Sequence, residues 1–267
     1  MGSQEGNNEQ RSKLYDKMER DLDVKGLTIP HIGNLSSDIF TIKDGSVTPI
    51  LRPSKLPVRT NVLYLTTNFS TPISTIVHET FNPHFDKGIW FQNPSLYHFT
   101  MFQSSNHMSP VIATEEEVEE EAAAVRAVAH CLCPLKVQLD RVILTSTGVL
   151  VGCWQVVSGS DPTAIRSKLR AVLPRAPEKQ AYDEAILHTS FARLLGRPSL
   201  SHEDPRNELQ FIQTLVARVN DKIRGFEAIV SDLWFVEEFD VMALALNGKM
   251  KARQFQLGSG GASSAPP

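Results

Sequence analysis

Cysteine is scarce in this 267-residue chain: Cys131, Cys133 and Cys153 are an odd number, with no second pair to complete a thiolate metal site. That excludes a disulfide-stapled scaffold and favours a reducing compartment, so cytosol or nucleus is expected, with an organelle also compatible. No stretch approaches the roughly 20 apolar residues that cross a membrane. The first twenty residues lack the apolar centre of a signal peptide. A basic excess is missing too. The formal net charge is −3, which argues against a general nucleic-acid coat and against a DNA partner, while leaving room for a small phosphorylated ligand in a local positive cleft. His78-Glu79 begins like a zinc-protease motif, but His84 falls two positions late, and the glycines after 257 follow no strand and open no helix. No metal and no cofactor is therefore expected.

What is present is an ordinary globular composition, 41% hydrophobic and 21% charged, long enough to bury a real core. Residues 1–25 are polar and charged and read as a disordered or loosely helical leader. Residues 26–58 mix short apolar runs with Pro and Gly and read as an irregular extension. A main domain is expected over 59–257 and a flexible tail over 258–267. Within the main domain strand and helix signals alternate. Strands are predicted at 62–66, 95–102, 137–144, 149–157, 186–194, 228–235, 241–246 and 251–257. A helix opens at Thr114, with Glu117 placed to complete a capping box. Another opens at Asp161-Pro162, and a third spans about 205–224. Hairpins and separated helices make this an α+β chain.

Two of these strands carry the same short pattern, His98-Phe99-Thr100 and His188-Thr189-Ser190. Side chains alternate along a strand, so each histidine and the hydroxyl two residues on share a face. The imidazole titrates near neutral pH, and the hydroxyl can donate to a phosphate oxygen. Brought together, the four groups would surround one phosphate. One histidine would activate water, the other would protonate the leaving oxygen, and Thr100 and Ser190 would hold the developing charge. A Val-rich strand precedes each histidine at similar distance, Val62 before His98 and Val151 before His188, with a helix signal between. This weak internal repeat predicts two similar lobes facing each other across a cleft.

The combined pattern resembles the two-histidine (2H) phosphoesterase superfamily, which includes the LigT-like RNA 2′,3′-cyclic phosphodiesterases and plant cyclic phosphodiesterases. It covers roughly 59–257: Trp90 and Pro94 ahead of Leu96-Tyr97-His98-Phe99-Thr100, the strand Val149-Leu150-Val151-Gly152-Cys153-Trp154, and Leu187-His188-Thr189-Ser190-Phe191-Ala192-Arg193. Ser190 stands where Thr is commoner. The resemblance implies a bilobal fold of two pseudo-symmetric antiparallel sheets with outer helices. It also implies a monomeric, metal-independent phosphodiesterase acting on 2′,3′-cyclic phosphates of nucleotides or RNA ends. Trp90 and Phe102 are candidates to stack a base, and Arg193 to contact phosphate, although simple alternation sets Arg193 on the face away from His188. The rival reading is a non-catalytic module that binds a nucleotide or RNA end in the same cleft. The presence of both histidines and both hydroxyls favours catalysis.

Overall fold

The computed structural model describes residues 4–28, 39–43, 46–85, 88–199 and 205–258. All but the first residue of the expected tail lies outside that set. The chain opens with α1 (Gln4–Lys25), β1 (Phe40–Lys43), β2 (Ser46–Pro49), β3 (Pro53–Tyr64), α2 (Thr67–Phe81), β4 (Ile89–Phe91), β5 (His98–Ser105) and α3 (Glu115–His130). It continues through β6 (Leu135–Leu144), β7 (Val149–Ser158), α4 (Pro162–Val172), β8 (His188–Leu194) and α5 (Pro205–Ile223). It closes with β9 (Glu227–Val230), β10 (Asp232–Asp240), α6 (Ala243–Leu246) and β11 (Met250–Gln256).

The fold is α+β, as the alternation of signals implied. One lobe is the sheet β11-β10-β3-β5, the other the sheet β4-β8-β7-β6-β9, and β1-β2 form a separate hairpin. Every strand pairing is antiparallel. The lobes share one core. Phe99 of β5 meets Trp154 of β7 edge to face at 5.6 Å, and Tyr97 stacks on Phe191 at 5.3 Å. These rings are fully buried, so each histidine strand is held by its apolar side while the histidine points the other way.

Local chemistry explains the helix starts. Thr114 and Glu117 close the capping box of α3: the Thr114 hydroxyl accepts from the Glu117 amide at 3.2 Å, and the Glu117 carboxylate accepts from the Thr114 amide at 2.7 Å. Asp161 caps α4 through the Thr163 amide, with Pro162 in the first turn. Gly152 is dictated by packing. A Cβ there would lie 2.3 Å from Cζ of Phe191, whose ring crosses β7 at that point. Gly152→Ala is expected to cost about 1–3 kcal/mol by overpacking, read as a shifted urea midpoint at unchanged m-value.

Four expectations change. Residues 4–25, read as a disordered or loosely helical leader, are a regular and docked helix, because Arg11, Tyr15 and Leu22 fall on one face and are buried against the β6–β7 region. Residues 26–58 are not wholly irregular, since they hold the β1–β2 hairpin, and the strand expected at 62–66 is β3, which begins at Pro53 and ends at Tyr64. The strand expected at 241–246 is a turn leading into α6, bracketed by left-handed Met242 and Asn247. The strand expected at 228–235 is cut at Ser231. Its first half, β9, pairs with β6 in one lobe, and its second half, β10, pairs with β3 in the other.

Candidate active site

β5 and β8 pack against each other at the junction of the lobes. Each begins with its histidine, and their registers repeat. In the first lobe His98 lies opposite Tyr64, Phe99 opposite Leu63 and Thr100 opposite Val62; Met101 bulges, and Phe102 resumes opposite Asn61. In the second, His188 lies opposite Cys153, Thr189 opposite Gly152 and Ser190 opposite Val151; Phe191 bulges, and Ala192 resumes opposite Leu150. Both bulges fall immediately after the hydroxyl residue. A bulge adds one residue and resets the alternation.

That reset corrects the placement of Arg193. Arg193 pairs with Val149, two residues from the Val151 that faces Ser190, so it lies on the same face as His188 and Ser190. Burial pushes its guanidinium pKa down, and Tyr182 lies within electrostatic reach. Gln103 holds the equivalent place on β5, opposite Thr60. Trp90 pairs with Arg193 across β4–β8 and shares that face; its indole N–H donates to the Ala245 carbonyl at 3.4 Å, and its ring packs on Phe40. Phe102 is not on the histidine face. It is 2% exposed, on the far side of the bulge, beneath the Arg170 guanidinium at 4.6 Å. The bulge at Met101 turns it away from the histidines; its buried ring lies under Arg170 and borders the cavity beside Thr100.

The two imidazoles sense each other and differ. Nδ1 of His98 is 2.7 Å from the Leu96 carbonyl, which fixes the Nδ1–H tautomer and leaves Nε2 as the free nitrogen. Burial pushes the His98 pKa down, and the carbonyl partly opposes this by stabilising the cation. His188 is pushed down further, to about 4, first by burial and then by the positive charges of a protonated His98 and of Arg166. His188 is thus the imidazole less easily protonated.

Three features of the site carry no motif in the sequence. Tyr182, 44% exposed, sets its ring edge-on to His188 at 4.8 Å. Tyr64, beside His98, stacks on Trp234 at 4.1 Å and 17°, an aromatic pair on the histidine face of the first lobe. Tyr15 of α1 inserts its hydroxyl between β7 and β8. It lies 2.8 Å from the Trp154 carbonyl and 2.9 Å from the Leu187 carbonyl, and accepts from the Leu187 amide, one residue before His188. The only hint was hydroxyl or ring chemistry scattered through polar segments. A cavity of about 290 Å³ opens beside Thr100, walled by Gln103, Arg166, Arg170, Gln180 and Tyr182. Among the described residues, no cluster of His, Cys, Asp or Glu is arranged to hold a metal ion, and no helix is long and apolar enough to cross a membrane.

The class this arrangement defines is a bilobal α+β protein with paired His-x-hydroxyl strands. Solved structures resemble it to different degrees. TT0787 of Thermus thermophilus is 13% identical, with 75% of this chain and 98% of that chain covered and a TM-score of 0.51. The conserved protein of unknown function ATU0111 from Agrobacterium tumefaciens is 14% identical over 74% and 85%, with a TM-score of 0.52. Apo LigT of E. coli is 13% identical over 76% and 99%, with a TM-score of 0.46. No family model and no curated protein matches the sequence.

Proposed function

We propose that this chain is a two-histidine phosphodiesterase that opens 2′,3′-cyclic phosphates of nucleotides or RNA ends without a metal. The observation that carries the reading is the repeated register, which sets His98 with Thr100 and His188 with Ser190 at equivalent places on two strands that pack together. His188, the less basic imidazole, takes a proton from water as the water oxygen attacks phosphorus. His98, its Nδ1–H bound to the Leu96 carbonyl, gives a proton from Nε2 to the departing ribose oxygen. One P–O bond forms, one breaks, and the product is a ring-opened monoester; loss of the 3′ oxygen would give a 2′-phosphate. The hydroxyls of Thr100 and Ser190, with Arg193 beyond them, hold the charge gathering on the non-bridging oxygens. The Tyr64–Trp234 pair beside His98 offers a platform for a base, which favours a nucleotide over a simple sugar phosphate.

The test is turnover of purified full-length protein on a panel of 2′,3′-cyclic mononucleotides, 3′,5′-cyclic nucleotides and 2′,5′-oligoadenylate, with and without a strong chelator. Opening of the 2′,3′-cyclic compounds to 2′-phosphates at a rate the chelator leaves unchanged is expected. Tight nucleotide binding with no cleavage of any of them would make this a binding module instead.

A further inference from the structure

Arg166 sits on α4, which packs against β5 and α3, is 7% exposed, and forms no ion pair among the described residues. Its guanidinium is spent on backbone. Nη2 donates to the Thr100 carbonyl at 2.9 Å, Nε to the Met101 carbonyl at 3.0 Å, and Nη1 to the Glu184 carbonyl at 2.6 Å. Thr100 and Met101 are a motif hydroxyl and the bulge after it, in the first lobe. Glu184 lies in the connection that delivers His188 to the second. β5 is an edge strand, so its outward carbonyls have no ladder partner of their own. Gln180 covers the next stretch of the same edge, accepting from the Gln103 amide at 2.7 Å and donating to its carbonyl at 3.1 Å.

We propose that Arg166 is a positioning residue that locks the two histidine strands at their working separation, by bridging the edge of β5 at Thr100 to the segment entering β8. A planar fork spreads its donors over three nitrogens and so reaches three separated carbonyls, a geometry that the three donors on a lysine's single nitrogen do not copy. The same buried cation lies beside the cleft, where it favours an anionic phosphate and disfavours a proton on His188. The other groups facing His188 are His98 from β5, Tyr182 from the connection and Cys153 across β7, with Arg193 further along its own strand.

The kinetic part of this inference rests on the phosphodiesterase reading; the titration part does not. Two full-length variants test it, Arg166→Lys and Arg166→Met. Each is measured for kcat and KM on a 2′,3′-cyclic nucleotide, and for the His188 midpoint by NMR of the labelled imidazoles. In both, kcat is expected to fall about a hundred-fold, the loss that a misplacement of about 1 Å produces, with KM moving much less. The His188 midpoint should rise in Arg166→Met, which removes the like charge, and hold in Arg166→Lys. A merely structural arginine would lower thermal stability in both variants while leaving kcat of the folded protein near wild type. Should Arg166→Met fail to fold, Arg166→Lys decides: lost kcat at held KM supports the bridge, and near wild-type kcat overturns it. Should the wild type cleave nothing, the midpoint decides: a rise in Arg166→Met supports the placement of the charge, and no change overturns it.

Discussion

His98→Ala and His188→Ala should each lower turnover of a 2′,3′-cyclic nucleotide by about a hundred- to ten-thousand-fold, because each removes one proton-transfer partner. Thr100→Ala and Ser190→Ala should cost less, since each removes a neutral donor and part of the loss falls on phosphate binding. The pH dependence separates the histidines. Both pKa values lie below the usual 6.5, that of His188 at about 4. The free protein with His98 charged and His188 neutral is therefore a species of the acid side, above about pH 4 and below 6.5. The bell of kcat/KM should lie on the acid side of pH 6.5, while a phosphate anion in the cleft raises both pKa values and carries the bell of kcat upward. Stability follows the same group with a definite sign. Between pH 6.5 and about 4 the unfolded chain binds a proton at His188 and the folded chain does not, so stability is lost as pH falls through that window. His188→Ala should flatten that slope. Near wild-type turnover in both alanine variants would leave only the binding-module reading.

Arg11→Ala should destabilise the protein by about 3–5 kcal/mol, as breaking a buried ion pair from one side does. Arg11 is fully buried, its Nη2 lies 2.8 Å from the Asp161 carboxylate, and its Nε donates to the Gln155 side chain at 3.1 Å. Asp161, in turn, caps α4. Removing the guanidinium leaves a carboxylate stranded at the foot of the helix that carries Arg166. The double variant Arg11→Met with Asp161→Asn removes both charges of this pair and should recover part of the loss. Urea unfolding of the three proteins measures this. Turnover should also fall in Arg11→Ala, because loosening α1 frees the Tyr15 hydroxyl that holds Leu187 beside His188. A change below about 1 kcal/mol, the range of an exposed pair, would mean that α1 is not docked as described.

Much of the site was legible in the amino-acid sequence. The two His-x-hydroxyl motifs were readable because a strand repeats every two residues, so type and spacing alone put His98 with Thr100 and His188 with Ser190 on common faces. The capping box at Thr114 and the Asp161-Pro162 start were equally local, each needing only residues within one helical turn. Tertiary structure decided what depends on distant partners. The bulges at Met101 and Phe191 arise from pairing with β3 and β7, and they alone bring Arg193 onto the histidine face and turn Phe102 away from it. The docking of α1 was hidden because only Arg11, Tyr15 and Leu22 of a polar helix are buried, and two of them are anchored by a carboxylate and by carbonyls about 140–170 positions away. Ser231 switches the chain between lobes because β6 and β3 each offer an open edge there, a fact no window of sequence contains. Periodicity is a property of neighbours along the chain. Register, edge coverage and the field at a buried imidazole belong to neighbours in space.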